Sequence, residues 1–186
     1  MGKQRLAENL LRDWARRDFR ALFRYCQSAQ AFQDVPFSLP FTFQALDQRF
    51  PGSRFILTVR DSEEQWHTSL IQYYAALFAQ GRPPTLADLK AAAYVRPGWM
   101  YESHCLIHPD FGQDPFNKEM LIAGYRDHNR AVQEYFRHRP GHLLVLNVAQ
   151  PGAYSRLCEF LGRPVEDKSF PWENKTSERK LGSGLR

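Results

Sequence analysis

The sequence predicts an α/β protein built around a parallel sheet. Two runs, RFILTV at 54–59 and HLLVLNV at 142–148, are almost continuously apolar and rich in leucine, isoleucine and valine. Continuous apolarity is typical of strands in parallel sheets, which are covered on both faces. Each run is followed by a polar turn and then by apolar residues at helical spacing. This is the strand, turn and helix order of α/β folds.

Two amphipathic helices, or one helix broken near Arg17, are predicted at the start of the chain. Apolar residues recur there at steps of three and four, namely Leu6, Leu10, Leu11, Trp14, Phe19, Leu22, Phe23 and Cys26. Residues 1–24 also hold seven Lys and Arg against three Asp and Glu, and so supply most of the chain's net charge of +5. Such a basic surface attracts nucleic acid, anionic lipid or a phosphorylated small molecule, and it is equally typical of a solvated helix face.

An extended segment and a short helix are predicted next. In AFQDVPF, residues 31–37, Pro36 disfavours helical backbone at Val35, which favours an extended segment with Asp34 at its carboxyl end. The short helix covers residues 39–50, because Pro51 and Gly52 together stop it.

After the strand at 54–59, a helix is predicted to begin at Ser62 and to continue to Gly81. Ser62 supplies a capping hydroxyl, and two glutamates stand in the first turn, where the helix dipole favours acidic residues. Residues 85–93 are predicted to form a shorter helix. Residues 97–115 are rich in proline, aromatic residues and histidine, so we expect an irregular stretch that serves as a lid or substrate loop.

The last predicted elements are a long helix at 116–138, the strand at 142–148 and a helix at 153–161. Gly162 and Pro164 supply the stop signal of that helix. We therefore expect one domain over residues 1–186, with basic helices at 1–28, an α/β core at 29–165 and a C-terminal segment at 166–186 that frays at its end.

The composition disfavours several classes of protein. The three cysteines, Cys26, Cys105 and Cys158, are widely spaced, which argues against a disulfide framework or a zinc cage. We expect no transmembrane segment, because no apolar run approaches the ~20 residues needed to span a bilayer. The N-terminus shows no secretory signal pattern, and we expect a cytoplasmic location.

The candidate site lies where the predicted strands end, because open parallel sheets bind ligands outside the carboxyl ends of their strands. This rule selects Asp34, the run Arg60-Asp61-Ser62, and Asn147 with Gln150. Arg60 beside a helix N-terminus is a plausible phosphate clamp. The alternative is an Arg60 that merely pairs with Asp61 or Glu64 at the helix start.

Three stretches, in order, carry a resemblance to a known family. They are FPGSRFILTVRDSEEQWHTSL, HNRAVQEYFRHRPGHLLVLNV and LCEFLGRPVEDKSFPWENK, which contain the patterns YF, LLVL, L-x-x-FLG-x-P and FP-x-x-N. From about residue 29 to residue 177 the sequence resembles the P-loop sulfotransferases, which take a sulfuryl group from 3′-phosphoadenosine 5′-phosphosulfate (PAPS). The resemblance implies a three-layer P-loop-type sandwich. It also implies transfer to a hydroxyl or amine of a small molecule or glycan, without a metal.

The resemblance also implies roles for single residues. Arg60 and Ser69 would hold the 3′-phosphate of PAPS, and Thr68 is a rival for Ser69 because Ser69 lies one residue further from Arg60 than is common in the family. Three polar residues after FP would contact the nucleotide, namely Asn174, Lys175 and Thr176. Asp34 is the preferred base for activating the acceptor, although it can instead cap the following turn, and His104 or His108 can equally serve as base.

The chain departs from the family in one large respect. The sulfotransferases open with a strand and a loop of Lys-x-Gly-Thr-Thr type that holds the 5′-phosphosulfate, and the sequence contains no such loop after a predicted strand. We therefore expect weak or no activity, and an incomplete sheet that favours self-association. The alternatives are a non-catalytic binding or scaffold protein that keeps the 3′-phosphate half-site and, from the N-terminal charge alone, a nucleic-acid-binding domain. We expect no nucleic-acid partner.

Overall fold

The computed structural model describes residues 3–166 and residue 170. Its elements follow one another along the chain as α1 Lys3–Ala15, α2 Arg20–Tyr25, α3 Thr42–Arg49, β1 Phe55–Thr58, α4 Glu63–Phe78, α5 Leu86–Ala91, α6 Trp99–Ile107, a 3-10 turn Pro109–Phe111, α7 Lys118–Phe136, β2 Leu143–Leu146 and α8 Ala153–Leu161. The mixture of helices with a small parallel sheet confirms the α/β class. The chain divides into two compact units, one from Met1–Ser53 with Leu89–Pro115, the other from Arg54–Asp88 with Phe116–Arg186.

The sheet of the second unit consists of β1 and β2, which run parallel. Phe55 is opposite Leu143, and Thr58 is opposite Leu146. The parallel arrangement is the one predicted from the two apolar runs, and it brings the carboxyl ends of both strands to the same edge. Burial on both faces was also predicted, and this is wrong for β1, because Leu57 is buried while Ile56 on the opposite face is 44% exposed.

Helices α4 and α7 of the second unit are joined by aromatic contacts. The Trp66 ring of α4 stacks on the Tyr125 ring of α7, with 4.5 Å between ring centroids. At the other end of α7, the Phe136 ring lies 4.9 Å from the Phe55 ring of β1 and is 2% exposed. These contacts fix α7 against the start of α4 and against β1 at once.

The first unit has its own apolar core. Leu11 and Trp14 of α1 pack there with Leu39 and with Trp99 of α6. The Trp14 indole Nε1 donates a hydrogen bond of 2.9 Å to the Pro40 carbonyl, so its polar atom is satisfied inside the core. Helices α1 and α2 are separated at residues 16–19, which confirms the predicted break near Arg17.

A network of ion pairs joins α1 to α6 at the edge of this core. Arg12 donates to the Glu102 carboxylate from Nε at 2.9 Å and from Nη2 at 2.6 Å. Arg96 donates to Glu8 at 3.0 Å and also pairs with Glu102. Two arginines between two glutamates balance charge locally, so this cluster orders the helix pair.

The prediction of an irregular stretch over 97–115 is wrong for the first half of that range. Residues Trp99–Ile107 form the helix α6, whose N-cap Gly98 has φ +75°. Trp99, Met100, Leu106 and Ile107 share the face that packs on the core of the first unit, so burial of this stripe stabilises helix in a segment of mixed composition.

The segment 31–37 does not form the predicted extended segment with Asp34 at its carboxyl end. Asp34 has φ +61°, and its carbonyl accepts a hydrogen bond of 2.9 Å from the Ser38 N–H, so the chain turns there. The rings of Phe32 and Phe37 stack with their centroids 4.9 Å apart. Local aromatic packing, rather than pairing with a strand, therefore determines the backbone of this segment.

Within the described residues, no helix is long and apolar enough to cross a membrane.

Candidate functional site

A cleft of about 590 Å³ lies in the second unit at the carboxyl end of β1. Residues 59–63 form one wall, and the face of α7 between Tyr125 and Arg137 forms the other. We call it the β1 cleft. Its position is the one that the sheet topology predicts for ligand binding, directly outside the end of a parallel strand.

Arg60 lines the β1 cleft two residues after the end of β1. Its backbone N–H donates a hydrogen bond of 3.0 Å to the Tyr125 hydroxyl oxygen. The Arg60 guanidinium is exposed, and it forms no hydrogen bond or ion pair with any residue that the structure describes. The cleft thus contains a full positive charge whose five N–H donors are available to an anion.

Asp61, next to Arg60, is held by other partners. The Asn147 amide after β2 donates to one Asp61 carboxylate oxygen at 2.6 Å, and the Gln65 amide donates to the other at 3.0 Å. Asn147 is 5% exposed and Asp61 is exposed, so the contact is partly buried. Arg60 therefore does not pair with Asp61, and it does not pair with Glu64 either, so the structure contradicts the alternative role predicted for Arg60.

The start of α4 is capped from within the chain. The Ser62 hydroxyl oxygen accepts a hydrogen bond of 3.0 Å from the Gln65 N–H, as the sequence predicted for a capping serine. Glu63 forms a two-point ion pair with Arg126 of α7, with distances of 2.8 Å from Nε and 2.5 Å from Nη2. The hydrogen bonds from Arg126 lower the pKa of Glu63, which therefore remains ionised at neutral pH and connects the two walls of the cleft.

Two further arginines line the β1 cleft, Arg130 on α7 and Arg137 at the C-cap of that helix. Arg130 pairs with Asp127 at 2.6 Å, and Arg137 pairs with Glu134 at 2.7 Å. Both pairs are exposed and join residues three apart, so they hold the side chains only weakly. Sequence reasoning did not select any arginine of α7. The signal was present, because positions 126, 130 and 137 are separated by four and seven residues and share one helix face.

Ser69 lies on α4, seven residues after the N-cap, which corresponds to roughly 10 Å along the helix axis. It is half-buried, and the neighbouring Thr68 is exposed. Neither residue is among those that line the β1 cleft. Of the predicted contacts to the 3′-phosphate, Arg60 therefore lies in the cleft, together with Asp61 and Ser62, which the strand-end rule also selected.

The three predicted bases, Asp34, His104 and His108, belong to the first unit. Asp34 is exposed in its turn, and His104 is half-buried on α6. Among the described residues, no hydrogen bond or ion pair joins the side chains of Asp34 and His104.

Asn174, Lys175 and Thr176, predicted as nucleotide contacts, lie outside the described residues, as does the end of the predicted C-terminal segment. In the described part of the chain, no three His, Cys, Asp or Glu side chains are grouped as a metal site.

His104 and His108 form a small aromatic cluster with Phe111. The two imidazole centroids are 5.0 Å apart, and the His108 ring lies 4.5 Å from the Phe111 ring. Burial lowers the pKa of His104, and burial together with the neighbouring His104 lowers the pKa of His108 to about 4. Both side chains are therefore neutral at pH 7, and a neutral imidazole is the form that can accept a proton.

The low pKa of His108 predicts a pH-dependent stability. In the unfolded chain this histidine titrates near its ordinary value of 6.5, so the folded state is disfavoured as the pH falls from about 6.5 toward 4. We expect the free energy of unfolding to drop by about 1–2 kcal/mol across that window, allowing for solvent screening. Urea titrations of His108→Leu should show a smaller drop. The exposed His138→Gln should behave as the unsubstituted protein, and an equal drop in all three proteins would refute the prediction.

Among the described residues, a parallel strand leads into an arginine that has no side-chain partner, beside the start of a helix, and this arrangement defines an α/β protein with a cleft at the end of its sheet. A comparison with models of protein families identifies the family within this class. The model of the sulfotransferase domain family matches residues 2–179, and the chain belongs to that family. Neither the curated proteins nor the solved structures contain a significant match to the chain.

Proposed function

We propose that this protein binds PAPS or its product nucleotide at the β1 cleft, with Arg60 on the 3′-phosphate, and that it transfers the sulfuryl group slowly. The transfer class follows from the sulfotransferase family to which the chain belongs. The proposal includes the three-layer P-loop-type sandwich as one domain over residues 1–186. The acceptor is a hydroxyl or amine of a small molecule or glycan.

The observation that carries the proposal is the unpaired guanidinium of Arg60 at the end of β1. A phosphate carries charge and several acceptor oxygens, and a guanidinium offers paired donors that match them. The Tyr125 hydroxyl accepts the Arg60 N–H and keeps its own hydrogen, so it can donate to the same anion. Since Asp61 is bound by Asn147 and Gln65, its carboxylate does not compete for Arg60.

PAPS supplies the sulfuryl group when it is bound. The sequence contains no Lys-x-Gly-Thr-Thr pattern that would hold its 5′-phosphosulfate, and among the described residues no glycine-rich phosphate loop links a strand to a helix. Donors aimed at the charge that develops during transfer are commonly worth about 3–4 kcal/mol each. This absence supports slow transfer, and it equally supports the second candidate, a binding protein that retains only the 3′-phosphate half-site.

Asp34 and His104 are the proposed bases of the first unit. His104 is held neutral by burial, and its Nε2 atom has no hydrogen-bond partner among the described residues. Asp34 is exposed, so its carboxylate is available to an acceptor from solvent. Either group would take the proton that a hydroxyl or amine loses during transfer.

The choice between Ser69 and Thr68 can be tested by removing each hydroxyl. The resemblance assigns Ser69 to the 3′-phosphate although Ser69 does not line the β1 cleft, and on that assignment we expect Ser69→Ala to weaken binding of adenosine 3′,5′-bisphosphate by at least about tenfold, the effect of one hydrogen bond to a charged group. Thr68→Val should leave the affinity unchanged, because Ser69 is the assigned partner of the phosphate. Calorimetric titration of both variants distinguishes the two residues, and the reverse order of effects would transfer the role to Thr68.

The transfer reaction is tested with PAPS labelled in its sulfuryl group and a panel of phenols, alcohols, amines and sugars. We expect turnover far below the roughly 1–1,000 per second of ordinary enzymes. An ordinary rate with any acceptor would contradict slow transfer. The absence of label transfer together with binding of adenosine 3′,5′-bisphosphate would favour the second candidate. The absence of both would refute the proposal.

A further inference from the structure

A second cleft of about 580 Å³ lies in the first unit, between α2 and α3. Residues 17–20 and Phe23 form one side, and Ala45, Gln48 and Arg49 of α3 form the other. We call it the α2–α3 cleft. Its volume is within the range of small-molecule sites, and no part of the sulfotransferase proposal uses it.

Two guanidinium groups in the α2–α3 cleft are positioned by aromatic rings and not by carboxylates. The Arg17 guanidinium carbon lies 4.3 Å from the centroid of the Phe41 ring and 4.9 Å from that of the Trp14 ring. The Arg49 guanidinium carbon lies 5.2 Å from the centroid of the Phe50 ring. Neither arginine has a carboxylate partner among the described residues. Cation–π contacts of this kind hold a guanidinium without neutralising its charge.

The backbone supports this placement of Arg17. Arg17 has φ +60°, and Phe41, which faces its guanidinium, has φ +65°. The left-handed region is disfavoured for residues other than glycine, so both conformations depend on the contacts around them. The Arg17 Nη1 atom also donates a hydrogen bond of 3.3 Å to the Trp14 carbonyl. Arg17 is therefore held in one orientation at the rim of the cleft.

The third arginine of the cleft is already neutralised. Arg20 forms a two-point pair with Asp18, with donor–acceptor distances of 2.9 and 2.5 Å. The hydrogen bonds from Arg20 lower the pKa of Asp18 to about 2, so this carboxylate remains ionised and paired with Arg20 at neutral pH. The charge that is left in the cleft is that of Arg17 and Arg49.

The floor of the cleft is aromatic. The rings of Phe19 and Phe23 are stacked, with 6.2 Å between centroids, and Phe23 packs edge-on against Phe50. A ring or short alkyl group of a ligand can contact this floor, while the two unpaired guanidiniums at the rim contact an anionic group.

We infer that the α2–α3 cleft is a binding site for a small amphipathic anion, an aromatic or short alkyl group that carries a phosphate, sulfate or carboxylate. The anionic group binds to Arg17 and Arg49, and the apolar group packs on Phe19 and Phe23. This site lies in the first unit and does not depend on nucleotide binding at the β1 cleft of the second unit.

Phenyl phosphate is the probe that tests this site, in calorimetric titrations of the full chain with methyl phosphate as the comparison. We expect saturable binding of phenyl phosphate that is about fivefold tighter than that of methyl phosphate, because only the phenyl ring contacts the floor. Arg49→Gln and Arg17→Gln should each weaken phenyl phosphate binding by about five- to tenfold.

Two matched charge changes serve as controls. Arg24→Gln removes an exposed positive charge of α2 outside the cleft, and Arg163→Gln removes an exposed charge of the second unit that lines neither cleft. Both should leave phenyl phosphate affinity within about twofold of the unsubstituted protein. Absence of saturation, equal binding of methyl phosphate, or an equal loss with Arg24→Gln would overturn the inference. Arg49 is exposed at the end of α3, so Arg49→Gln decides the test even if Arg17→Gln fails to fold.

Discussion

Replacing Arg60 by glutamine should lower the affinity for adenosine 3′,5′-bisphosphate by about ten- to a hundredfold, the effect of losing a charge-assisted, two-point contact with a phosphate. Arg60 is the cleft arginine that no described carboxylate neutralises, so its whole charge acts on the ligand. Calorimetry at 0.15 M salt measures the change. Arg60→Lys should recover only part of the affinity, because an ammonium cannot make the two-point contact.

The control for Arg60→Gln is Arg163→Gln, which removes an exposed charge after α8 and outside the β1 cleft. We expect Arg163→Gln to change the affinity by less than about twofold at 0.15 M salt, because exposed charges outside the cleft are screened. Equal losses with both variants would mean that general electrostatic attraction, and not the position of Arg60, determines nucleotide binding.

Replacing Phe136 by alanine should lower the free energy of unfolding by about 3–5 kcal/mol, the usual cost of truncating a fully buried phenylalanine. Phe136 is 2% exposed, and its ring contacts that of Phe55 in β1. Its loss would leave a cavity where α7 meets the sheet. Because α7 forms one wall of the β1 cleft, nucleotide affinity should fall with stability. Urea unfolding followed by circular dichroism measures the stability.

Ile56→Ala is the matched control for Phe136→Ala. Ile56 follows Phe55 in β1 but is 44% exposed on the other face, so its truncation should cost less than about 1 kcal/mol. If Phe136→Ala unfolds the protein completely, Phe136→Leu leaves part of the side chain in place and should cost about 1–2 kcal/mol. A cost for Phe136→Leu no larger than that for Ile56→Ala would contradict the role given to this contact.

The parallel strand pair and most helices follow from local patterns in the sequence. The apolar runs predict β1 and β2, and Ser62 with its following acids predicts the start of α4, where its hydroxyl caps the helix. The meeting of Asn147 with Asp61 follows from one topological rule, since parallel strands end at the same edge. These features depend on short-range spacing or on a general rule, and sequence reasoning reaches them for that reason.

Helix α6 was missed because two local signals conflict. Pro97 and Gly98 and the histidines of 97–115 favour a loop, whereas Trp99, Met100, Leu106 and Ile107 recur at helical spacing. The helical conformation is stabilised because these four residues pack on the core of the first unit. The spacing was available in the sequence, but its importance depended on a tertiary contact.

The arginines of α7 were missed for a different reason. Arg126 meets Glu63 across 63 residues of sequence, and Tyr125 meets the Arg60 backbone across 65. Such contacts depend on the rotation of α7 about its axis, which Trp66 and Phe136 determine through their rings. No local pattern fixes that rotation, so only the structure shows which face of α7 lines the cleft.

Recognition of a 3′-phosphate by Arg60 is tested most directly by comparing two nucleotides that differ only in that group. Adenosine 3′,5′-bisphosphate and adenosine 5′-phosphate would be titrated into the unsubstituted protein and into Arg60→Gln under the same conditions. We predict that the bisphosphate binds the unsubstituted protein at least about tenfold more tightly, and that Arg60→Gln removes most of this difference. Equal affinities for the two nucleotides in the unsubstituted protein would contradict this recognition.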